Sequence, residues 1–78
     1  MKELDTVVIT HDIKDKGLKK GDMGAIVYVY DDGKAFEVEF VTADGKTVAL
    51  LTLTVADIRP MAKNELLHVR DFSSMNSI

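Results

Sequence analysis

Two Asp-Gly dipeptides, Asp32-Gly33 and Asp44-Gly45, each stand between runs rich in β-branched and aromatic residues. They constrain this chain more than any other feature. Asp-Gly suits the positive-φ conformations of two-residue hairpin turns, so the flanking runs read as antiparallel neighbours. A three-strand meander follows, with strands over residues 24–31, 35–43 and 46–54.

Two-residue turns also fix a register, because opposed residues share a face and side chains alternate along a strand. Around Asp44-Gly45, Phe40 opposes Ala49, Val38 opposes Leu51 and Phe36 opposes Leu53. Around Asp32-Gly33, Val29 opposes Phe36, Val27 opposes Val38 and Ala25 opposes Phe40. This face is wholly apolar and is the expected core. The other face carries Ile26, Tyr28, Tyr30, Glu37, Glu39, Val41, Val48, Leu50 and Thr52, which is too apolar for an ordinary solvated surface. Two readings stay open: the terminal strands and first loop cover it as further core, or Ile26, Tyr28, Tyr30 and Leu50 stay open as a protein-interaction patch.

Residues 4–10 (LDTVVIT) read as a first strand, and HDIKDKGLKKGD as a long loop after it. TVADIRP reads as a short helical turn and a brief strand stopped by Pro60. NELLHVRDF reads as a last short strand or one helical turn, and because Leu67 and Val69 alternate with His68 and Arg70 the preferred expectation is a strand pairing back onto the first. The expectation is one all-β domain over residues 1–72, with 73–78 as a frayed tail. Its form is a small SH3-like barrel with a long first loop, a three-strand meander and a short helical turn near the C-terminal strand.

A domain of 78 residues buries only roughly 60% of the surface its unfolded chain exposes, so the core is small. With 46% apolar and 29% charged residues the chain reads as globular rather than disordered. Cysteine is absent, which excludes disulfides and thiolate metal sites and fits a cytoplasmic setting. The N-terminus meets acidic residues too early for a signal peptide, and no apolar run nears the ~18 residues of a membrane span. No membrane association is expected.

Ten basic against thirteen acidic residues give a net charge of −3, which argues against a nucleic-acid partner. Lys14, Lys16, Lys19 and Lys20 crowd the first loop, but Asp12, Asp15 and Asp22 are interleaved with them and predict a charge-balanced, solvated loop.

Chemistry finds little support. His11 and His68 are the only histidines, and neither has the second and third partners that a general base or metal site needs. No nucleophile elbow, phosphate-binding glycine loop or paired-carboxylate motif is present. Glu37 and Glu39 alternate along one strand as solubilising residues. The chain is expected to be no enzyme and to take no cofactor or metal.

The stretch GLKKGDMGAIV, the EVEF strand, the DG turn, the terminal DIRP and the later ELLHVRDF together resemble the bacterial family catalogued as domain of unknown function 4926, over residues 4–72. The resemblance implies an SH3-like barrel, no established activity, and an accessory or antitoxin-like place beside a partner. A looser similarity links Lys20, Gly21, Asp22, Met23 and Gly24 to the lead-in turn of KOW-type barrels in ribosomal and transcription proteins. Turn geometry accounts for those residues: Gly21 and Gly24 suit positive φ, and Asp22 can accept neighbouring amides.

The favoured expectation is a non-catalytic module that recognises a protein partner or itself. Ile26, Tyr28, Tyr30 and Leu50 supply its apolar contacts, and Lys16, Lys19 and Lys20 its steering charge. The alternative is a KOW-like nucleic-acid-binding barrel using the Lys14 to Lys20 loop, with Tyr28.

Overall fold

The computed structural model describes residues 1–72. The chain is all-β, as expected. Strands β1 (Thr6–Ile9), β2 (Met23–Val29), β3 (Ala35–Val41), β4 (Thr47–Thr54) and β5 (Ile58–Pro60) form one antiparallel sheet in the order β4-β3-β2-β1-β5. A single 3₁₀ turn, Lys14–Lys16, interrupts the first loop. Among the described residues no helix is long and apolar enough to cross a membrane.

The edge strands β4 and β5 are joined by residues 55–57 alone. So short a link between opposite edges requires the sheet to curl towards closure, giving a small barrel-like form. The Thr10 amide donates to the Asp57 carbonyl at 2.9 Å and the Thr10 hydroxyl to the Ala56 carbonyl at 2.8 Å, tying the end of β1 to that link. Inside the curl, Val7, Ile9, Ile26, Phe36, Val38, Phe40, Leu53 and Ile58 form the core, with Leu18 of the first loop closing one end.

The meander forms, but neither hairpin is a two-residue turn. In the first, the Tyr30 amide donates to Ala35 and the Gly33 amide to Tyr30, with Gly33 at φ 67°, so the loop spans residues 31–34. Val29 still opposes Phe36, after which a bulge at Val27 shifts the ladder: Tyr28 opposes Glu37 and Ile26 opposes Val38. An inserted residue reverses the facing of everything beyond it. Ile26 is therefore fully buried in the core and Val27 is 41% exposed, the reverse of the sequence expectation for both.

In the second hairpin the Thr42 amide reaches the Lys46 carbonyl and the Gly45 amide the Thr42 carbonyl, with Gly45 at φ 85°, which makes a three-residue loop. The resulting one-residue shift is cancelled by a bulge at Val48. The expected pairs Phe40–Ala49, Val38–Leu51 and Phe36–Leu53 are consequently present. Val48 leaves the outer face and packs, partly buried, against the core.

Three further expectations change. Gly21 has the anticipated positive φ of 96°, but Gly24 does not. Gly24 is needed for space: a Cβ there would lie 2.7 Å from Val38 Cγ1 and 2.9 Å from Phe40 Cε2. Residues 55–57 form a hydrogen-bonded turn rather than a helical one, with the Asp57 amide donating to Thr54. Residues 64–72 form no strand on β1, because β2 and β5 already occupy both its edges. The expected frayed tail, 73–78, lies outside the described residues.

Candidate interaction surfaces

The outer face of β2, β3 and β4 is organised around Glu37. Tyr30 Oη and Thr52 Oγ1 each donate to Glu37 Oε2 at 2.5 Å, drawing together side chains from both sides of β3. These bonds, that from Thr52 first, hold the Glu37 carboxyl below the usual carboxylate range, and the bond to Glu37 raises the Tyr30 phenol. Tyr28 meets Tyr30 edge to face, with centroids 5.0 Å apart and planes at 86°. Thr47 Oγ1 donates to Glu39 Oε2 at 2.7 Å. Both glutamates are thus engaged within the face. Around them Tyr28, Tyr30, Val41 and Leu50 are exposed, Leu50 to 57%.

The first loop is pinned by the paired backbones of Ile13 and Leu18, whose amides and carbonyls exchange bonds of 2.9 and 3.1 Å. Gly17 ends the 3₁₀ turn in the left-handed region at φ 72°. Asp12 Oδ1 accepts the Lys20 amide at 2.8 Å. Lys14, Lys16, Lys19 and Lys20 are all exposed, and among the described residues none forms an ion pair. The aspartates expected to balance them are bonded elsewhere in two cases: Asp12 to backbone and Asp22 to the C-terminal segment.

The lysines and tyrosines proposed as one surface are not brought together. Asp22 precedes β2 and Tyr28 lies near its far end, roughly 20 Å away at strand rise. Of the anticipated apolar contacts, Tyr28, Tyr30 and Leu50 share the outer face and Ile26 does not, because the Val27 bulge turns it inward.

Asp22, 7% exposed, anchors a cluster that sequence reasoning missed. Arg70 Nε donates to Oδ1 at 2.7 Å and Nη2 to Oδ2 at 2.5 Å, while Nη2 also reaches the Gly17 carbonyl at 2.9 Å. The Lys19 amide donates to Oδ2 at 2.8 Å, the turn role anticipated for Asp22, and His68 Nε2 lies 3.1 Å from Oδ1. Burial pushes the Asp22 carboxyl up, but the bonds from Arg70 and Lys19 outweigh it and leave the group below its ordinary value. The segment 61–72 is also fixed near its start, where Arg59 Nη1 and Nη2 donate to Glu65 Oε1 and Oε2 at 2.8 and 2.7 Å. That guanidinium and the Ala62 amide lower the Glu65 carboxyl to about 2. Between the two fixed points Leu66, Leu67 and Val69 are exposed, while Phe72 packs on the core. An open groove of about 770 Å³, lined by Leu18, Phe40, Val48, Arg70 and Phe72 among others, lies under the end of this segment.

His11 faces acceptors on both ring nitrogens: Asp57 Oδ1 is 2.8 Å from Nε2 and the Asp12 carbonyl 3.0 Å from Nδ1. Only the imidazolium donates to both, and the Asp57 contact accordingly raises the His11 pKa. The Asp57 carboxylate, held low by His11 and by the Thr54 amide, thereby clamps the end of β1 to the turn after β4.

No curated protein and no solved structure matches the chain. The family model for Domain of unknown function (DUF4926) matches residues 3–60, which run from before β1 to the end of β5 and include Asp22 but stop short of His68 and Arg70. The chain belongs to that family.

Proposed function

We propose that this protein is a non-catalytic binding module that recognises a protein partner through the outer face of β2, β3 and β4. The observation that carries this reading is the exposed apolar and aromatic patch of Tyr28, Tyr30, Val41 and Leu50, set around two glutamates whose hydrogen bonds are made within the face. An open apolar patch with an aromatic pair and a polar frame is the composition of a protein-recognition surface. An accessory or antitoxin-like role is the setting in which such a module acts. The test compares the wild type with the double variant Tyr28→Ser/Leu50→Ser in affinity capture from the source cell, with thermal unfolding measured alongside. Specific partners are lost in the variant at unchanged folding; a variant that unfolds, or that retains every partner, refutes the surface.

A second reading, nucleic-acid contact through Lys14, Lys16, Lys19 and Lys20, is favoured by the absence of ion pairs on these side chains among the described residues. It requires binding that weakens steeply with salt. No mobility shift at micromolar protein and low salt removes it.

A further inference from the structure

The two edges of the sheet are unequal. β5 is three residues long and carries Arg59 and Pro60, features that discourage strand addition. β4 runs for eight residues, TVALLTLT, without a charge or a proline. A long uncharged edge of this kind is a template for pairing.

Which backbone groups point outward follows from Asp57. The Thr54 amide donates to Asp57 Oδ2 at 2.9 Å and the Thr54 carbonyl accepts the Asp57 amide at 2.9 Å, so the backbone of Thr54 faces away from β3. Antiparallel ladders alternate, so Leu53, Leu51 and Ala49 bond to β3, while Thr52 and Leu50 direct their amides and carbonyls to the open edge. Asp57 closes that edge at Thr54, and the Val48 bulge ends its regular course on the other side. Two residues, i and i+2, are left.

We propose that this edge pairs with the same edge of a second copy of the chain, around a two-fold axis at Leu51. This inference rests on backbone groups of the edge rather than on the outer-face aromatic pair, although Leu50 belongs to both surfaces. An axis at Leu51 sets Leu50 opposite Thr52 of the other copy, and Thr52 opposite its Leu50. Four backbone hydrogen bonds form, and no other centre uses all of the outward groups of both chains. The pairing is isologous and closes at two copies. It also fits the charge: Asp57, at the end of the edge, is already engaged by the Thr54 amide and His11, and the outer-face acids Glu37 and Glu39 lie one strand in from each seam, so those two sets stand three strand spacings apart, about 14 Å. That exceeds the Debye length of about 8 Å at physiological salt, and the seam joins uncharged residues only. The half-exposed Leu50 is covered by a threonine of the other copy.

Sedimentation velocity over micromolar to millimolar protein tests this. The wild type shows a reversible monomer–dimer equilibrium. Thr52→Pro removes an amide that points away from β3, and with it two of the four intermolecular bonds, so dimerisation weakens at least about tenfold while the fold persists. Tyr28→Ser leaves the equilibrium unchanged, which separates this inference from the outer-face reading. Because the chain has no cysteine, Leu51→Cys adds a register-specific report. Directly opposed residues of a non-hydrogen-bonded pair sit about 4.5 Å apart at Cα, within disulfide range, so this variant oxidises to a covalent dimer. Leu66→Cys, at a position 93% exposed, reports random collision and crosslinks slowly. A wild type that stays monomeric throughout overturns the proposal, as does undiminished dimerisation of folded Thr52→Pro or equal crosslinking at both cysteines.

Discussion

Arg70 grips Asp22 with Nε on one carboxylate oxygen and Nη2 on the other, across 48 residues of sequence. The pair ties a segment without regular structure to the turn that leads into β2. Removing the guanidinium leaves a nearly buried carboxylate with only the Lys19 amide and His68 as partners. Arg70→Ala is expected to destabilise the protein by about 2 kcal/mol, as when a buried charged acceptor loses its partner. For a domain this small that is roughly 8–16 °C in Tm. Arg70→Lys keeps the charge but loses the fork and the reach to Gly17, and should recover less than half of the loss. Thermal unfolding checks both, and trypsin should cut the variants faster at Lys63, since the segment is then held by Glu65 and Phe72 alone.

The His11–Asp57 contact makes stability depend on pH from both sides. His11 has a raised native pKa, so its contribution is complete below the ordinary value of 6.5 and is lost as pH rises through the native value. Asp57 and Asp22 have lowered native values, so theirs are present above 3.8 and are lost as pH falls through those native values. The urea midpoint should therefore be highest between these limits and decline on the alkaline side of the histidine. His11→Ala should abolish the alkaline decline and weaken the acid limb without removing it, since Asp57 then keeps the Thr54 amide and Asp22 is untouched. A wild type whose midpoint is flat through the histidine range would show that the clamp adds nothing.

The meander was legible because Asp32-Gly33 and Asp44-Gly45 mark both hairpins and because Phe36, Val38 and Phe40 alternate with Glu37 and Glu39. Tyr28, Tyr30 and Leu50 were placed on the outer face for the same reason. Ile26 was not, since AIVYV is apolar at every position and alternation cannot reveal an inserted residue. At Val48 a similar insertion did no harm, because it offset an equally unanticipated three-residue loop. The Asp22 cluster was hidden for another reason: its partners lie beyond the last strand, in a segment whose alternation suggested pairing with β1. Local pattern reports which residues prefer a strand, and the number of open edges decides which of them obtain one.

Gly24 provides a test of close packing free of backbone strain. A methyl group there meets Val38 and Phe40, both buried, and the Glu39 carbonyl at 3.0 Å, so the sheet has to open or the phenyl ring to move. Gly24→Ala is expected to destabilise by about 1–3 kcal/mol, the usual range for overpacking a core. Gly21→Ala meets open space and suffers only from its φ of 96°, so its penalty should be about 1–2 kcal/mol. The two penalties arise differently. Trimming Phe40 to leucine should partly rescue Gly24→Ala and leave Gly21→Ala unaffected, which a double-mutant cycle in denaturant unfolding would measure.

Adjacent residues of β2 supply the sharpest check on the register. With the bulge at Val27, Ile26 faces Val38 in the closed core and Val27 stands at the surface beside Tyr28. Ile26→Ala should then destabilise by about 2–5 kcal/mol, the range for truncating a buried isoleucine, and Val27→Ala by about 0.5 kcal/mol or less. An unbulged pairing makes the opposite forecast, because Val27 would then oppose Val38 and Ile26 would face outward. Since both substitutions remove aliphatic carbon from neighbouring positions of one strand, differences in strand propensity largely cancel in the comparison. Chemical denaturation of the two variants decides between the registers: the larger loss must fall on Ile26 for the bulge, and with it the outward turn of Val27, to stand.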